Sequence, residues 1–202
     1  MIAVVDYGVG NLYSLTGSLK YLGLETVVTS SPDDLERADK IILPGVGAFG
    51  DAARKLRESG VTDALYKQVA LKKPLLGICL GMQLLFEGST EYGYTEGLSL
   101  IPGTVREIPQ DKIAPLKVPH MGWNSLVFKA ESPVFKYVSE GERVYYVHSY
   151  YAADCAQYVT ATSQYGMEIT GAVQKDNVFG TQFHPEKSGD TGLRILKAFA
   201  EL

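Results

Sequence analysis

The chain has 202 residues, of which 46% are hydrophobic and 21% charged, a balance typical of a globular domain and not of a disordered chain. Its net charge of -4 and its lack of any basic run exclude a basic surface of the kind that binds nucleic acid or an anionic membrane. The N-terminus lacks the basic segment of a secretory signal and no apolar run approaches the roughly 20 residues of a membrane span, so we expect a cytoplasmic protein with two free thiols.

The first half of the chain alternates short apolar runs with amphipathic ones. The strand-like runs IAVVDY, KIILPG and PLLGI precede the helix-like segments NLYSLTGSLKYLG, AFGDAARKLRESG and GMQLLFEG. This alternation predicts βαβ units and therefore a mostly parallel sheet flanked by helices. Because no repeat or linker interrupts the pattern, we expect an α/β fold in a single domain, residues 1–202.

A glycine-rich loop, DYGVGN at residues 6–11, joins the first predicted strand to the first predicted helix. A dinucleotide fingerprint would need glycine at position 13, where the chain has Tyr13, and no convincing acid ends a second strand about 20 residues later. The sequence therefore favours a tight turn, and we expect no cofactor.

The segment ILPGVGAFG, residues 42–50, also ends a predicted strand with glycines before a helix. Gly45 and Gly47 leave backbone N–H groups free to face a negative charge that develops on a substrate oxygen. A plain glycine-rich turn is the alternative, because a sequence does not show the orientation of a peptide group.

The third strand-to-helix junction, GICLG, contains Cys79 between Gly77 and Gly81. This G-x-C-x-G pattern is the thiol form of the nucleophile elbow, a sharp turn that exposes its central side chain at the carboxyl edge of a sheet. The following helix favours a thiolate at its N-terminus, and the N–H of Leu80 is a further oxyanion donor. The alternative is a small buried hydrophobic residue at a strand end.

The pattern changes from about Gly103 onward. Short strand-like runs follow one another without helices between them, in the order TVREI, NSLVF, RVYYVHSYY, QYVTATSQY, EITGAVQ and VFGTQFH. We expect these runs to be antiparallel additions that make the central sheet mixed. The last segment, GDTGLRILKAFAEL, has the apolar spacing of a packed terminal helix.

A catalytic cysteine needs a base, and the chain has three histidines. In GTQFHPEKSG a strand ends at His184, and Pro185 turns the chain so that Glu186 can fold back on the ring. We therefore predict that Cys79, His184 and Glu186 form a catalytic triad, although a structural histidine is the alternative for His184. The other two, His120 and His148, lack partners at metal-ligand spacing, so we expect no metal site.

These segments together resemble a known family. The chain resembles the class I (triad) glutamine amidotransferases in its elbow cysteine, its glycine-rich loop and its distal H-P-E segment. Proteins of that family have a flavodoxin-like fold. The segments VPHMGWNSL, PGVGAFG, CLGMQLLFEGS, GLSLIPGTV and FHPEKSG more narrowly resemble the glutaminase subunits of imidazole glycerol phosphate synthase. The resemblance extends over nearly the whole chain.

The resemblance implies a reaction and a partner. Glutamine would be hydrolysed through a thioester on Cys79, and the ammonia would be channelled to a cyclase subunit with a (β/α)8 barrel. That partner would form imidazole glycerol phosphate and aminoimidazole carboxamide ribotide in histidine biosynthesis. A heterodimer is implied, with weak glutaminase activity alone and strong activation when the cyclase binds its own ligand.

The resemblance also implies roles for individual residues. Cys79 would be the nucleophile, His184 the general base and acid, and Glu186 its orienting partner, with Val46, Gly47 and Leu80 forming the oxyanion hole. The residues implied to bind L-glutamine are Gly45, Gly47, Gln83, His148, Ser149 and Tyr150. Those implied at the partner interface are Asn11, Pro119, His120, Met121, Trp123 and Lys187.

Three other functions remain open at the level of sequence. The first is a glutaminase that serves another synthase, which the PHMGWN segment disfavours. The second is a stand-alone cysteine γ-glutamyl hydrolase, which would be active without a partner. The third is a non-enzymatic interaction subunit, which is disfavoured because three separate segments supply complementary parts of one reaction.

Overall fold

The computed structural model describes every residue from 1 to 202 and has helices packed on both faces of a central sheet. The helices are α1 (Leu12–Tyr21), α2 (Pro32–Arg37), α3 (Phe49–Glu58), α4 (Thr62–Ala70), α5 (Leu80–Leu84), α6 (Gln110–Ile113) and α7 (Gly189–Ala200). The strands are β1 (Ile2–Val5), β2 (Thr26–Thr29), β3 (Lys40–Leu43), β4 (Leu75–Ile78), β5 (Gly88–Ser89), β6 (Thr95–Glu96), β7 (Thr104–Glu107), β8 (His120–Ser125), β9 (Val127–Phe128), β10 (Arg143–His148), β11 (Tyr150–Ala153), β12 (Val159–Tyr165), β13 (Met167–Lys175) and β14 (Val178–Thr181).

The central sheet has eight strands in the order β2-β1-β3-β4-β14-β13-β12-β9. The first five of these run parallel, and the last three add to them in antiparallel pairs. The expected mixed, mostly parallel α/β sheet is therefore confirmed. None of the helices is long and apolar enough to cross a membrane.

The sheet separates two apolar cores. Side chains alternate along a strand, so β1 sends Ala3 and Val5 into one core and Ile2 and Val4 into the other. The second core also receives the apolar faces of α1 and α7, whereas α3 and α4 pack on the first. Strands buried on both faces are apolar throughout, as the sequence of β1 is.

The second half of the chain differs from the expectation in three respects, because the runs TVREI and RVYYVHSYY lie outside the central sheet, VFGTQFH contains β14, which is parallel to β4, and one expected strand is broken. The run RVYYVHSYY is not one strand, since it breaks at Ser149 into β10 and β11. β10 pairs with β8, and β11 joins β7, β5 and β6 in a separate four-stranded sheet. At the break the His148 ring donates through Nδ1 to the carbonyl of Tyr150, 2.8 Å away.

The strand order places four loops side by side. Strands β1, β3, β4 and β14 are consecutive neighbours and parallel, so their carboxyl ends meet at one edge of the sheet. The loops that leave this edge contain the DYGVGN turn, Val46 with Gly47, Cys79, and the segment from Gln182 to Ser188. An open α/β sheet binds its ligands at such an edge.

Candidate active site

Cys79 forms a strained elbow between β4 and α5. Its φ of 54° and ψ of -111° lie outside the regions that residues with a side chain normally adopt. Two close approaches require glycine beside it, because a Cβ on Gly81 would lie 1.8 Å from the Leu43 carbonyl oxygen and one on Gly77 would lie 2.7 Å from the Gly81 oxygen. The Cys79 N–H donates to the carbonyl of Thr181 at 2.7 Å, which fixes the elbow against β14.

His184 and Glu186 form a buried pair at the end of the neighbouring strand. The short helical turn Pro185–Lys187 folds Glu186 back, as the H-P-E segment predicts, so that its Oε1 lies 2.7 Å from His184 Nδ1. The two side chains are 2% and 3% exposed. The Nε2 atom of His184 is buried and has no hydrogen-bond partner of normal geometry, so it is the atom left to exchange a proton.

The surroundings of His184 favour its charged form. Burial acts to lower the pKa of the ring, but the proximity of Cys79 and the hydrogen bond with Glu186 outweigh it and raise the pKa of His184 to about 10. The imidazolium and a thiolate at Cys79 therefore stabilise each other. The arrangement has the parts needed for nucleophilic catalysis followed by general acid catalysis.

The loop after β3 and the first residue of α5 present unpaired donors. The backbone N–H groups of Val46, Gly47 and Leu80 have no acceptor within the protein, and Gly47 has a φ of 103°. Gly45 does not line the cavity; a Cβ there would lie 2.7 Å from the Tyr7 hydroxyl and 2.9 Å from the Gly81 nitrogen. Gly45 therefore allows the loop to pack closely against the elbow.

A cavity of about 420 Å³ opens over the cysteine. It brings together most of the residues that the resemblance assigned to catalysis and glutamine binding. They are Val46, Gly47, Cys79, Leu80, Gln83, His148, Ser149, Tyr150 and His184. Pro119 and Lys187, which were expected at the partner interface, also line it.

Sequence reasoning missed several residues of this site. Glu91 lines the cavity and accepts from the Phe49 N–H at 2.6 Å, and Tyr92 and Val147 lie beside it. Gln182 is wholly buried and donates through Nε2 to the Cys79 sulfur at 3.7 Å. Glu91 has no motif around it, but Gln182 lies two residues before His184, a spacing that places both side chains on one side of a strand.

The residues expected at a partner interface have different surroundings. Met121 and Trp123 lie on β8 with 59% and 52% of their surfaces exposed, and Pro119 and Lys187 are exposed near them. Asn11 is half-buried and caps α1 through Ser14. His120 is only 2% exposed, stacked between Tyr146 and Tyr165, so it has little surface to offer a partner.

Comparison with known proteins identifies the family of the chain. The family model for class-I glutamine amidotransferases matches residues 3–201. The imidazole glycerol phosphate synthase subunit HisH of Listeria monocytogenes is 48% identical over 202 residues, which is 100% of this chain and 96% of that protein. The subunit of the same name from Bacillus cereus is 51% identical over 200 residues, 98% of this chain and 93% of that protein.

The fold is shared more widely. The structure of PurLQS from Thermotoga maritima matches with a TM-score of 0.77 at 21% identity, covering 99% of this chain and 97% of that chain. At that level of identity the likeness concerns the fold alone.

Proposed function

The chain belongs to the class-I glutamine amidotransferase family, and we propose that it is the glutaminase subunit of an imidazole glycerol phosphate synthase. One observation carries the chemistry: the buried His184–Glu186 pair lies next to an elbow cysteine at the floor of a cavity. The substrate is L-glutamine, and the products are glutamate and ammonia.

The reaction begins with attack by the Cys79 sulfur on the side-chain carboxamide carbon of glutamine. The carbonyl oxygen becomes an oxyanion, which the N–H groups of Leu80 and of Val46 or Gly47 stabilise. His184 then gives its Nε2 proton to the amide nitrogen, the C–N bond breaks, and ammonia leaves a glutamyl thioester on Cys79.

Hydrolysis of the thioester completes the cycle. Water attacks the thioester carbon while His184 Nε2 takes a proton from it, the C–S bond breaks, and glutamate leaves. Glu186 remains hydrogen-bonded to Nδ1 throughout and so fixes the ring orientation and its tautomer. Gln83, Ser149 and Tyr150 line the cavity at the positions assigned to glutamine binding.

The partner is a cyclase subunit with a (β/α)8 barrel, which docks on the face formed by Pro119, Met121, Trp123 and Lys187. Exposed Trp and Met side chains are typical anchors of protein interfaces. Because Pro119 and Lys187 also line the cavity, this face adjoins the site where ammonia is released. Ammonia can thus pass to the partner without crossing bulk solvent.

The experiment measures glutamate release from glutamine by the purified chain, alone and with the cyclase subunit and its ribulotide ligand. Cys79→Ala removes the nucleophile, and Cys155→Ala is the matched control because it removes the other buried thiol. We expect strong release only with the partner, lost in Cys79→Ala and retained in Cys155→Ala. Equal release without the partner would indicate a stand-alone hydrolase, and no release under either condition would refute the assignment.

A further inference from the structure

We propose that Gln182 is a further catalytic residue, whose amide N–H stabilises the Cys79 thiolate, and that a buried chain of hydrogen bonds fixes the direction in which this amide points. The inference rests on the proposed function, in which Cys79 is the nucleophile. It concerns a residue that neither the elbow motif nor the H-P-E motif includes.

Gln182 is held in a position that leaves its side chain little freedom. It follows β14 directly, it is 0% exposed, and its backbone N–H donates to the Gly171 carbonyl at 2.8 Å. Its side chain lies on the same side of the chain as His184, whereas Phe183 between them points into the apolar core. Cys79 therefore has two neighbours from one segment, His184 and the Gln182 amide.

The orientation of the amide follows from its neighbours. Gln83 Nε2 lies 3.0 Å from the Tyr150 carbonyl oxygen, which can only accept a hydrogen bond, so the nitrogen of Gln83 must face it. The same nitrogen donates to Gln182 Oε1 at 3.0 Å. Because the oxygen of Gln182 is used in this way, its nitrogen faces the Cys79 sulfur at 3.7 Å.

Two histidines form a second branch that ends on the same Tyr150 carbonyl, which accepts from His148 as well as from Gln83. His148 Nδ1 lies 2.8 Å from the Tyr150 carbonyl oxygen and must carry the proton, so His148 Nε2 accepts from His120 Nδ1 at 3.0 Å. His120 Nε2 in turn accepts from Asn124 Nδ2 at 3.2 Å. Burial lowers the pKa of His120 to about 4 and that of His148 to about 3, so both rings are neutral at pH 7, as these bonds require.

An N–H donor toward the sulfur favours the thiolate over the thiol. A thiolate accepts a hydrogen bond more strongly than a neutral group does, and in a buried site the bond is not replaced by water. The bond persists while the sulfur is charged and weakens when the thioester forms. Gln182 therefore acts on the reactivity of Cys79 and makes no contact that recognises glutamine.

The first experiment compares Gln182→Met with Gln68→Met, which removes a buried glutamine on α4 that does not line the cavity. We expect iodoacetamide to alkylate Cys79 at pH 7 about tenfold more slowly in Gln182→Met, the effect of losing one hydrogen bond to a charged group. With the cyclase present, kcat for glutamate release should fall by a similar factor with little change in KM. Gln68→Met should match the wild type, and an unchanged alkylation rate in Gln182→Met would overturn the proposal.

A second measurement uses the unaltered protein and does not depend on whether a variant folds. Nuclear Overhauser contacts of the Gln182 side-chain amide protons report which way this amide points. We expect these protons to contact the Hβ protons of Cys79, and contacts to the Gln83 amide protons in their place would mean that the Gln182 amide points the other way and would overturn the proposal. Alkylation and the amide contacts are read without substrate or partner, so a failure of the proposed function leaves both tests intact.

Discussion

The Tyr7 hydroxyl donates a 2.8 Å hydrogen bond to the carbonyl of Pro44, and it thereby joins the end of β1 to the loop after β3. Both residues are buried, and burial raises the pKa of Tyr7, with a smaller contribution from Cys79, so the hydroxyl remains a donor. The loop that this bond holds carries the unpaired N–H groups of Val46 and Gly47.

Tyr7→Phe should weaken both the fold and the catalysis. It leaves the Pro44 carbonyl buried without a partner, and we expect a loss of about 1–2 kcal/mol in the free energy of unfolding in urea. Tyr66→Phe is the matched control, since the Tyr66 hydroxyl also donates to a backbone carbonyl, that of Leu98 at 2.9 Å, away from the loop. Glutamate release should fall in Tyr7→Phe only. Equal activity in the two variants would mean that the bond does not position the oxyanion loop.

Gly81→Ala tests the close packing of the elbow. The added methyl group would lie 1.8 Å from the Leu43 carbonyl oxygen, so the elbow must move away from β3. We expect a destabilisation of about 3 kcal/mol or more, measured by urea unfolding. Gly17→Ala, in the middle of α1 with no atom near the new methyl group, should instead stabilise the chain by about 0.5–1 kcal/mol. A neutral Gly81→Ala would show that the elbow is not packed as described.

Glu186→Gln tests the charge on His184 through the pH dependence of stability. The pKa of His184 in the fold is about 10, above its ordinary value of 6.5, so the charged ring stabilises the fold fully below pH 6.5 and this contribution is lost as pH rises toward 10. We expect the wild type to be about 2 kcal/mol more stable than Glu186→Gln near pH 6 and nearly equal to it near pH 10.

The control for this titration is Glu168→Gln, because Glu168 pairs with Lys129 on the surface. The free energy of unfolding of Glu168→Gln should differ little from that of the wild type at every pH. If the difference in the free energy of unfolding between Glu186→Gln and the wild type is also independent of pH, then His184 is neutral in the folded protein.

Trp123→Ala tests the proposed docking face. The side chain is 52% exposed, so its removal should leave the fold intact and weaken binding to the cyclase by about 30-fold or more, as expected for an aromatic anchor. Calorimetric titration measures the dissociation constant. Tyr21→Ala removes a 79% exposed aromatic from the end of α1 and should bind the cyclase normally. Unchanged binding by Trp123→Ala would show that the interface lies elsewhere on the chain.

The features that could be predicted from the sequence depend on residues close together in the chain. The glycines beside Cys79 predict the elbow because they are its immediate neighbours, and Pro185 predicts the turn that returns Glu186 to His184. Alternation of strand and helix periods predicts the parallel half of the sheet for the same reason. Each of these signals lies within a few residues.

The features that could not be predicted depend on contacts between distant segments. The burial of His120 depends on which face of β8 is covered, and alternation alone does not distinguish the two faces. The role of Gln182 depends on the orientation of its side-chain amide. Gln83 and the Tyr150 carbonyl determine that orientation, and they lie 99 and 32 positions away in the sequence. The break at Ser149 depends on the pairing of β10 and β11 with strands of two different sheets.

The pairing of β4 with β14 has a consequence for how such proteins diverge. Ile78 lies opposite Thr181 in this ladder, so Cys79 and Gln182 are the next residues on two hydrogen-bonded strands. The separation of the Cys79 and Gln182 backbones is therefore set by the spacing of adjacent strands, about 4.8 Å, and the base His184 follows only two residues later. Insertions between the other elements leave that distance unchanged, so lineages can acquire new surfaces for new partners while they keep one reaction centre.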